Sequence, residues 1–252
     1  MSTFVALLCK DVLEQWRTYK LLSAVLILLA FGLISPLIAR YTPELVEGFA
    51  SDLEITVRPP QTSDAIDQLI RNLGQMAPFA AILLAMGAIA TEKQRGTAAL
   101  VLVKPVTRTA FIVSKFAALS ATLFAGVALG CIGSYFYTAV LFEALPVVGF
   151  TVFTLLMILA IMVIASVTFL ASTLFRSSVP AACVGLAAFA VMAVLSVMPG
   201  LGDYMPMGLY WPARELALGN DPGALIGPVL ANLGMVASTL LLAWFSFRRQ
   251  TL

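Results

Sequence analysis

No histidine occurs anywhere in the 252 residues, only three cysteines do, and charged residues make up just 11% of the chain. The missing histidine excludes Ser-His and Cys-His nucleophile pairs, His-ligated metal sites and haem held by histidine. Cys9, Cys131 and Cys183 are scattered and form no C-x-x-C, so neither a disulfide framework nor a zinc or redox site is expected. Met205-Pro206-Met207 offers thioethers that favour Cu(I), but without Cys or His partners it is expected to be apolar packing. No Gly-rich phosphate-binding loop of the G-x-x-x-x-G-K-[ST] kind is present, so the chain cannot hold a nucleotide that way.

Charge is absent from six long stretches, 21–39, 72–91, 116–142, 144–175, 177–202 and 222–247. A bilayer core about 30 Å thick needs roughly 20 helical residues to cross it. The predicted fold is therefore all-α, a polytopic membrane protein with six transmembrane helices in a single transmembrane domain, 1–252. The spans are expected at about 21–39, 75–91, 116–142, 147–175, 180–198 and 225–247. The first apolar run starts at Leu21 and no small-residue cleavage pattern follows it, so no cleavable leader is expected. No Asp or Glu falls inside a span. Ion-coupled carriers place ionisable groups there, so coupling to a proton or sodium gradient is not expected, and active transport would draw its energy from another subunit.

The connections divide by charge. Residues to Lys20, 92–115, Arg176 and the tail Arg248–Arg249 hold 11 basic residues against Asp11, Glu14 and Glu92. The alternate connections hold Arg40, Arg58, Arg71 and Arg214 against ten acids. Lys and Arg concentrate on the cytoplasmic side, so both termini are expected there. The net charge of +2 thus masks two opposite faces and does not point to nucleic acid.

Residues 3–20 place Phe4, Leu7, Leu8, Val12 and Trp16 on an apolar face, with Lys10, Asp11, Glu14 and Arg17 opposite. That spacing predicts a helix over 1–20 lying in the membrane interface. In the outer loop 40–74, Thr42-Pro43-Glu44 predicts a helix start. Arg58-Pro59-Pro60 breaks the chain, and Ser63 is expected to cap a second short helix, 64–73, ended by Gly74. The other outer loop, 199–224, is rich in Gly and Pro, with a short helix expected around Trp211–Leu216. Gly126-x-x-x-Gly130 predicts close helix approach.

The longest cytoplasmic connection, 92–115, carries five of the inner basic residues. Gly96 is placed to end the helix leaving span 2 and Thr97 to cap a short new one. Leu100, Val101 and Val103 would be its apolar knobs, Pro105 its stop, and Thr107 the cap of the next span. A short apolar-faced helix held between two spans suits docking to a partner.

The order Glu92, Arg95-Gly96-Thr97, Leu100, Pro105-Val106-x-Arg108 and Lys115 closely resembles the signature of type-2 ABC transporter permeases. Chain length, six spans, an inner-face helix before span 1 and a short outer turn after span 3 agree with that family. The resemblance implies that Gly96 to Lys104 is a coupling helix seated in a cleft of a separate ATP-binding subunit. Glu92 would then sit at the end of span 2, and Arg108 would orient the entry to span 3. It further implies two ATPase copies, a second permease copy or a paralogue, and membrane lipid as partners. ATP and Mg would be bound in the partner subunit, with no cofactor and no catalytic or metal site on this chain, in a prokaryotic plasma membrane. The alternative is a non-transporting anchor or force-transmitting subunit of an ATPase complex. An intramembrane enzyme or gradient-driven carrier lacks the ionisable groups it would need.

Overall fold

The computed structural model describes residues 3–49, 58–96 and 107–250. Among them there is no strand, and six helices are long and apolar enough to cross a membrane. The chain is a multi-pass, all-helical membrane protein. In order, the helices are α1 (Thr3–Arg17), α2 (Lys20–Phe49), α3 (Thr62–Met86), α4 (Ala90–Gln94), α5 (Arg108–Leu141), α6 (Val147–Leu174), α7 (Ser178–Leu195), α8 (Tyr210–Leu218) and α9 (Ile226–Arg248). Two 3₁₀ turns, Gly202–Tyr204 and Pro206–Leu209, lead into α8.

α6 is the centre of the bundle. Phe153, Met157, Val163, Ala165 and Phe169 along it are fully enclosed. α3, α7, α8 and α9 all pack on it. α2 and α5 form the tightest pair, because glycine lets their backbones meet. A Cβ on Gly130 would stand 2.6 Å from the Leu28 carbonyl oxygen, and one on Gly126 would stand 2.8 Å from Leu28 Cδ1. The small-residue spacing seen in the sequence therefore does mark a helix crossing.

Two sequence expectations fail at the loop 40–74. Thr42 is not a helix cap: its hydroxyl donates back to the Ile38 carbonyl at 2.6 Å, inside an α2 that runs on through Pro36 and Pro43 to Phe49. Ser63 does not start a separate helix either. α3 begins at Thr62, where the Gln61 N–H donates to Asp64 Oδ2 at 2.9 Å, and continues through Gly74 and Pro78. The reason is a single unbroken stripe. Ile66, Leu69, Leu73, Ala77, Ala81 and Ala85 are all fully buried on one face. Burying that stripe outweighs the cost of about 1 kcal/mol for a mid-helix glycine. Gly74 instead accommodates a ring: a Cβ there would meet Tyr210 Cε2 of α8 at 2.9 Å. Burial pushes the Tyr210 phenol above its usual pKa.

The turn Phe142–Pro146 joins α5 to α6, and Phe175–Ser177 joins α6 to α7. α8 ends at Gly219, which adopts φ +82. Arg214 of α8 bonds Asp67 of α3 at 2.5 and 3.2 Å and Glu215 at 2.7 Å, tying the Gly- and Pro-rich segment to the start of span 2. The Asp67 carboxylate and then Glu215 hold the Arg214 guanidinium above its ordinary value.

A charged frame around residues 97–106

The residues Thr97, Leu100, Val101, Val103, Lys104 and Pro105 lie outside the described residues. What the structure places is the frame at either end of them: Glu92 to Gly96 on one flank, Thr107 to Lys115 on the other. Both belong to the face that carries α1 and the end of α9, here called the α1 face.

On the first flank, α4 is a short helix with Arg95 as its last half-helical residue, exposed to solvent. Gly96 follows with φ +69, the left-handed conformation in which a helix closes on glycine without a Cβ penalty. The expected helix stop at Gly96 is therefore present. On the second flank, the Thr107 hydroxyl accepts from the Ala110 N–H at 3.1 Å, the side-chain cap expected from its position.

Lys115 joins the flanks. Its ammonium lies 2.7 Å from Glu92 Oε1 and 3.2 Å from Asp11 Oδ1, with all three side chains at most 10% exposed. The ring of Phe111 sits under the same ammonium at 5.3 Å. Ser114 donates to Asp11 Oδ2 at 3.1 Å, and Lys10 reaches Glu92 at 3.3 Å from the solvent side. Asp11, Glu14 and Glu92 bring carboxylate oxygens within 4.8 Å of one another. Two ammonium groups among three carboxylates make this an ion-pair network. It fastens α1, α4 and α5 into one unit.

The sequence had put Asp11 on the polar, outward side of α1. In the structure it is 5% exposed and faces the bundle. The signal was available: Leu7, Asp11 and Gln15 follow one another at helical spacing on the buried side, and Gln15 accepts from Thr122 of α5 at 2.5 Å. An acid on an apolar stripe needs a cation opposite.

Arg108 does more than open α5. Its guanidinium donates to the carbonyls of Phe247, Arg248 and Gln250 at 3.3, 2.7 and 3.0 Å. They lie at and just beyond the C-terminal end of α9, where the helix leaves carbonyls short of intrahelical donors and its dipole favours a cation. Trp244 Nε1 donates to Thr109 Oγ1 at 2.9 Å and the rings of Phe111 and Phe247 stack at 5.5 Å, so α5 and α9 are joined three ways. The other flank reaches the same place. Lys93 donates to the Thr173 carbonyl and to Gln250 Oε1, and Gln250 Nε2 donates to Thr173 O at 2.9 Å. Lys10, Asp11, Lys93 and Gln250 are not among the docking residues expected from the sequence; Lys10 and Asp11 are expected there only on the polar face of α1.

A family model described as "ABC-2 family transporter protein" matches residues 6–209. The chain is also similar to a protein of Bacillus subtilis (strain 168) called "Uncharacterized transmembrane protein YxlG". The two are 29% identical over 257 residues, covering 99% of this chain and 98% of that one.

Proposed function

Because the chain belongs to the ABC-2 family of transporter proteins, we propose that it is the permease subunit of an ATP-driven exporter, worked by a separate ATPase subunit. The observation that carries this reading is the frame. Ten residues, 97–106, connect two helix ends that are each capped and each tied to other helices of the bundle. A partner that grips this segment pulls on α1, α3, α5, α6 and α9 together. In this reading the segment from Gly96 to Lys104 docks on the ATPase through Leu100, Val101 and Val103. The α1 face is cytoplasmic, and ATP and Mg stay in the partner. Two ATPases would work two permeases, this chain with a second copy or a paralogue, in a prokaryotic plasma membrane.

ATP binding draws the ATPases together, and the tied flanks carry that displacement into the spans. The ATPase must hold the segment differently in its two states for any work to be done, since equal contact in both shifts nothing. Leu100→Glu removes an apolar knob. Gly96→Pro forbids the positive φ, because proline fixes φ near −65°. Both variants should insert and fold, yet fail to alter ATP hydrolysis when co-expressed with the ATPase and reconstituted in nanodiscs. Wild-type ATPase response in both would refute the docking role.

A further inference from the structure

The backbone ladder of the second span is interrupted just before the first flank. α3 ends at Met86 and α4 begins at Ala90. Between them Ala88 N–H bonds the Ala85 carbonyl at 3.1 Å, a tightened turn. Helical pairing resumes with Thr91 N–H to Gly87 O at 3.4 Å and Lys93 N–H to Ile89 O at 3.0 Å. The N–H groups of Ile89 and Ala90 leave the helix altogether. Both donate to the hydroxyl oxygen of Ser172 on α6, each at 3.0 Å. Ile89, Ala90 and Ser172 are all 0% exposed, so no solvent could replace that acceptor. A second tie, between Thr91 Oγ1 and Ser178 Oγ at 3.1 Å, runs to α7 on the same side.

The other side is bridged by the ion pairs of Glu92 with Lys115 at 2.7 Å and Lys10 at 3.3 Å. A polar cavity of about 320 Å³ lies between α1, α5 and the break, lined by Glu14, Gly87, Ala88, Thr91, Glu92 and Lys115 among others. α4 is thus held to α6 and α7 across one surface and to α1 and α5 across the opposite one, with the cavity beside it. Sharp breaks in a helix occur where a side chain inserts into the ladder, and such places serve as hinges.

We propose that residues 87–89 are a joint about which α4, with the ends of α1 and α5 it is paired to, shifts against α6 and α7, and that Ser172 is the positioning residue that holds the joint in the state seen here. For its use, transmission of movement from the docked segment, the proposal rests on the coupling reading above. The joint itself is a property of this chain alone and is testable without the ATPase.

The test uses the full chain in nanodiscs. Nitroxides are placed by Gln94→Cys at the end of α4 and by Val179→Cys on α7, a position 68% exposed. Cys9→Ser and Cys183→Ala remove the two exposed native thiols, while Cys131 is 1% exposed and does not react. Double electron–electron resonance should give one narrow distance in this background and a second, displaced population once Ser172→Ala is added. Ser172→Thr, which keeps the acceptor, should restore the single distance. In parallel, amide hydrogen exchange over 87–94 should rise about tenfold in Ser172→Ala, with 62–86 unchanged. If Ser172→Ala does not insert, Ser172→Cys, with a weaker acceptor of similar size, takes its place in both measurements. A distance distribution that stays at the starting one, exchange that stays at wild type, or a rise spread evenly over 62–94 overturns the proposal. Failure of the Leu100→Glu experiment would instead remove the use of the joint and leave the joint standing.

Discussion

Replacing Lys115 by methionine strikes the frame at its centre. Its ammonium stands 2.7 Å from Glu92 and 3.2 Å from Asp11, with side-chain exposures of 7, 10 and 5%. At an effective dielectric constant of about 20, charges at these separations attract by roughly 5 to 6 kcal/mol per pair. Desolvating three charged groups offsets most of that. Methionine retains the length of the side chain and removes only the cation. Two buried carboxylates then face each other with Lys10 for company, and Lys10 is 44% exposed. Breaking a buried pair from one side costs about 3–5 kcal/mol. Lys10→Met, by contrast, removes a solvent-screened contact worth about 1 kcal/mol or less. In thermal unfolding of the purified chain in one detergent, Lys115→Met should lower Tm by roughly 6–20 °C and Lys10→Met by no more than about 4 °C. Asp11→Asn in the Lys115→Met background should recover part of the loss, since it neutralises one stranded carboxylate; the coupling expected is roughly 0.5–3 kcal/mol. Equal shifts for the two lysine variants, or strict additivity of Lys115→Met with Asp11→Asn, would refute the picture of a buried network.

Four further outcomes follow from contacts elsewhere in the bundle. Arg108→Ala removes the donor shared by the carbonyls of Phe247, Arg248 and Gln250, and should cost about 1 kcal/mol and raise amide exchange at the end of α9, with α6 unaffected. Gly130→Ala places a Cβ 2.6 Å from a backbone oxygen of α2, and should destabilise the chain by about 1–3 kcal/mol in denaturant unfolding. Gly227→Ala, whose Cβ would stand 3.4 Å from Tyr204, should be close to neutral in the same assay. A disulfide between Thr91→Cys and Ser178→Cys, whose native hydroxyl oxygens are 3.1 Å apart, should fix α4 against α7 and abolish the ATPase response reversibly with reductant. An undiminished response in the oxidised state would dissociate α4 movement from coupling.

The parts of the fold legible in the sequence are those governed by local or one-dimensional physics. Charges avoid the bilayer, so six apolar stretches separated by charged connections reveal six spans. Helix caps act within four residues, so Thr107 and Gly96 could be placed from their neighbours alone. The same local signals misled at Thr42-Pro43 and at Gly74, where each reads as a boundary. There a continuous buried stripe from Ile66 to Ala85 decides the matter, and its burial is a property of the bundle. The frame was half visible. Glu92, Arg108 and Lys115 belong to a recognisable order, but their partners do not. Asp11 lies 104 residues from Lys115. The acceptors of Arg108 and Lys93 are largely main-chain carbonyls, which every residue has and no sequence marks. Ser172 is one hydroxyl among many in an apolar helix, and only its two N–H donors distinguish it.

The chemistry of these contacts sets where the structure yields under load. Across the flanks, α1, α4 and α5 are held by buried ion pairs, whose loss costs about 3–5 kcal/mol. Lys93 of α4 also reaches the Thr173 carbonyl of α6, but at the joint itself, 87–89, the chain is held to α6 by two hydrogen bonds from neutral N–H groups to a neutral hydroxyl. Each is worth only about 0.5–1.5 kcal/mol net. On the proposed reading, a pull delivered through the segment between the flanks would meet a stiff frame and a softer pivot. The frame would move as a body and the displacement would be taken up at the break in the second span. Charge at the flanks and a lone serine at the pivot would then be two halves of one arrangement, in which graded interaction strength directs movement into the membrane through α3.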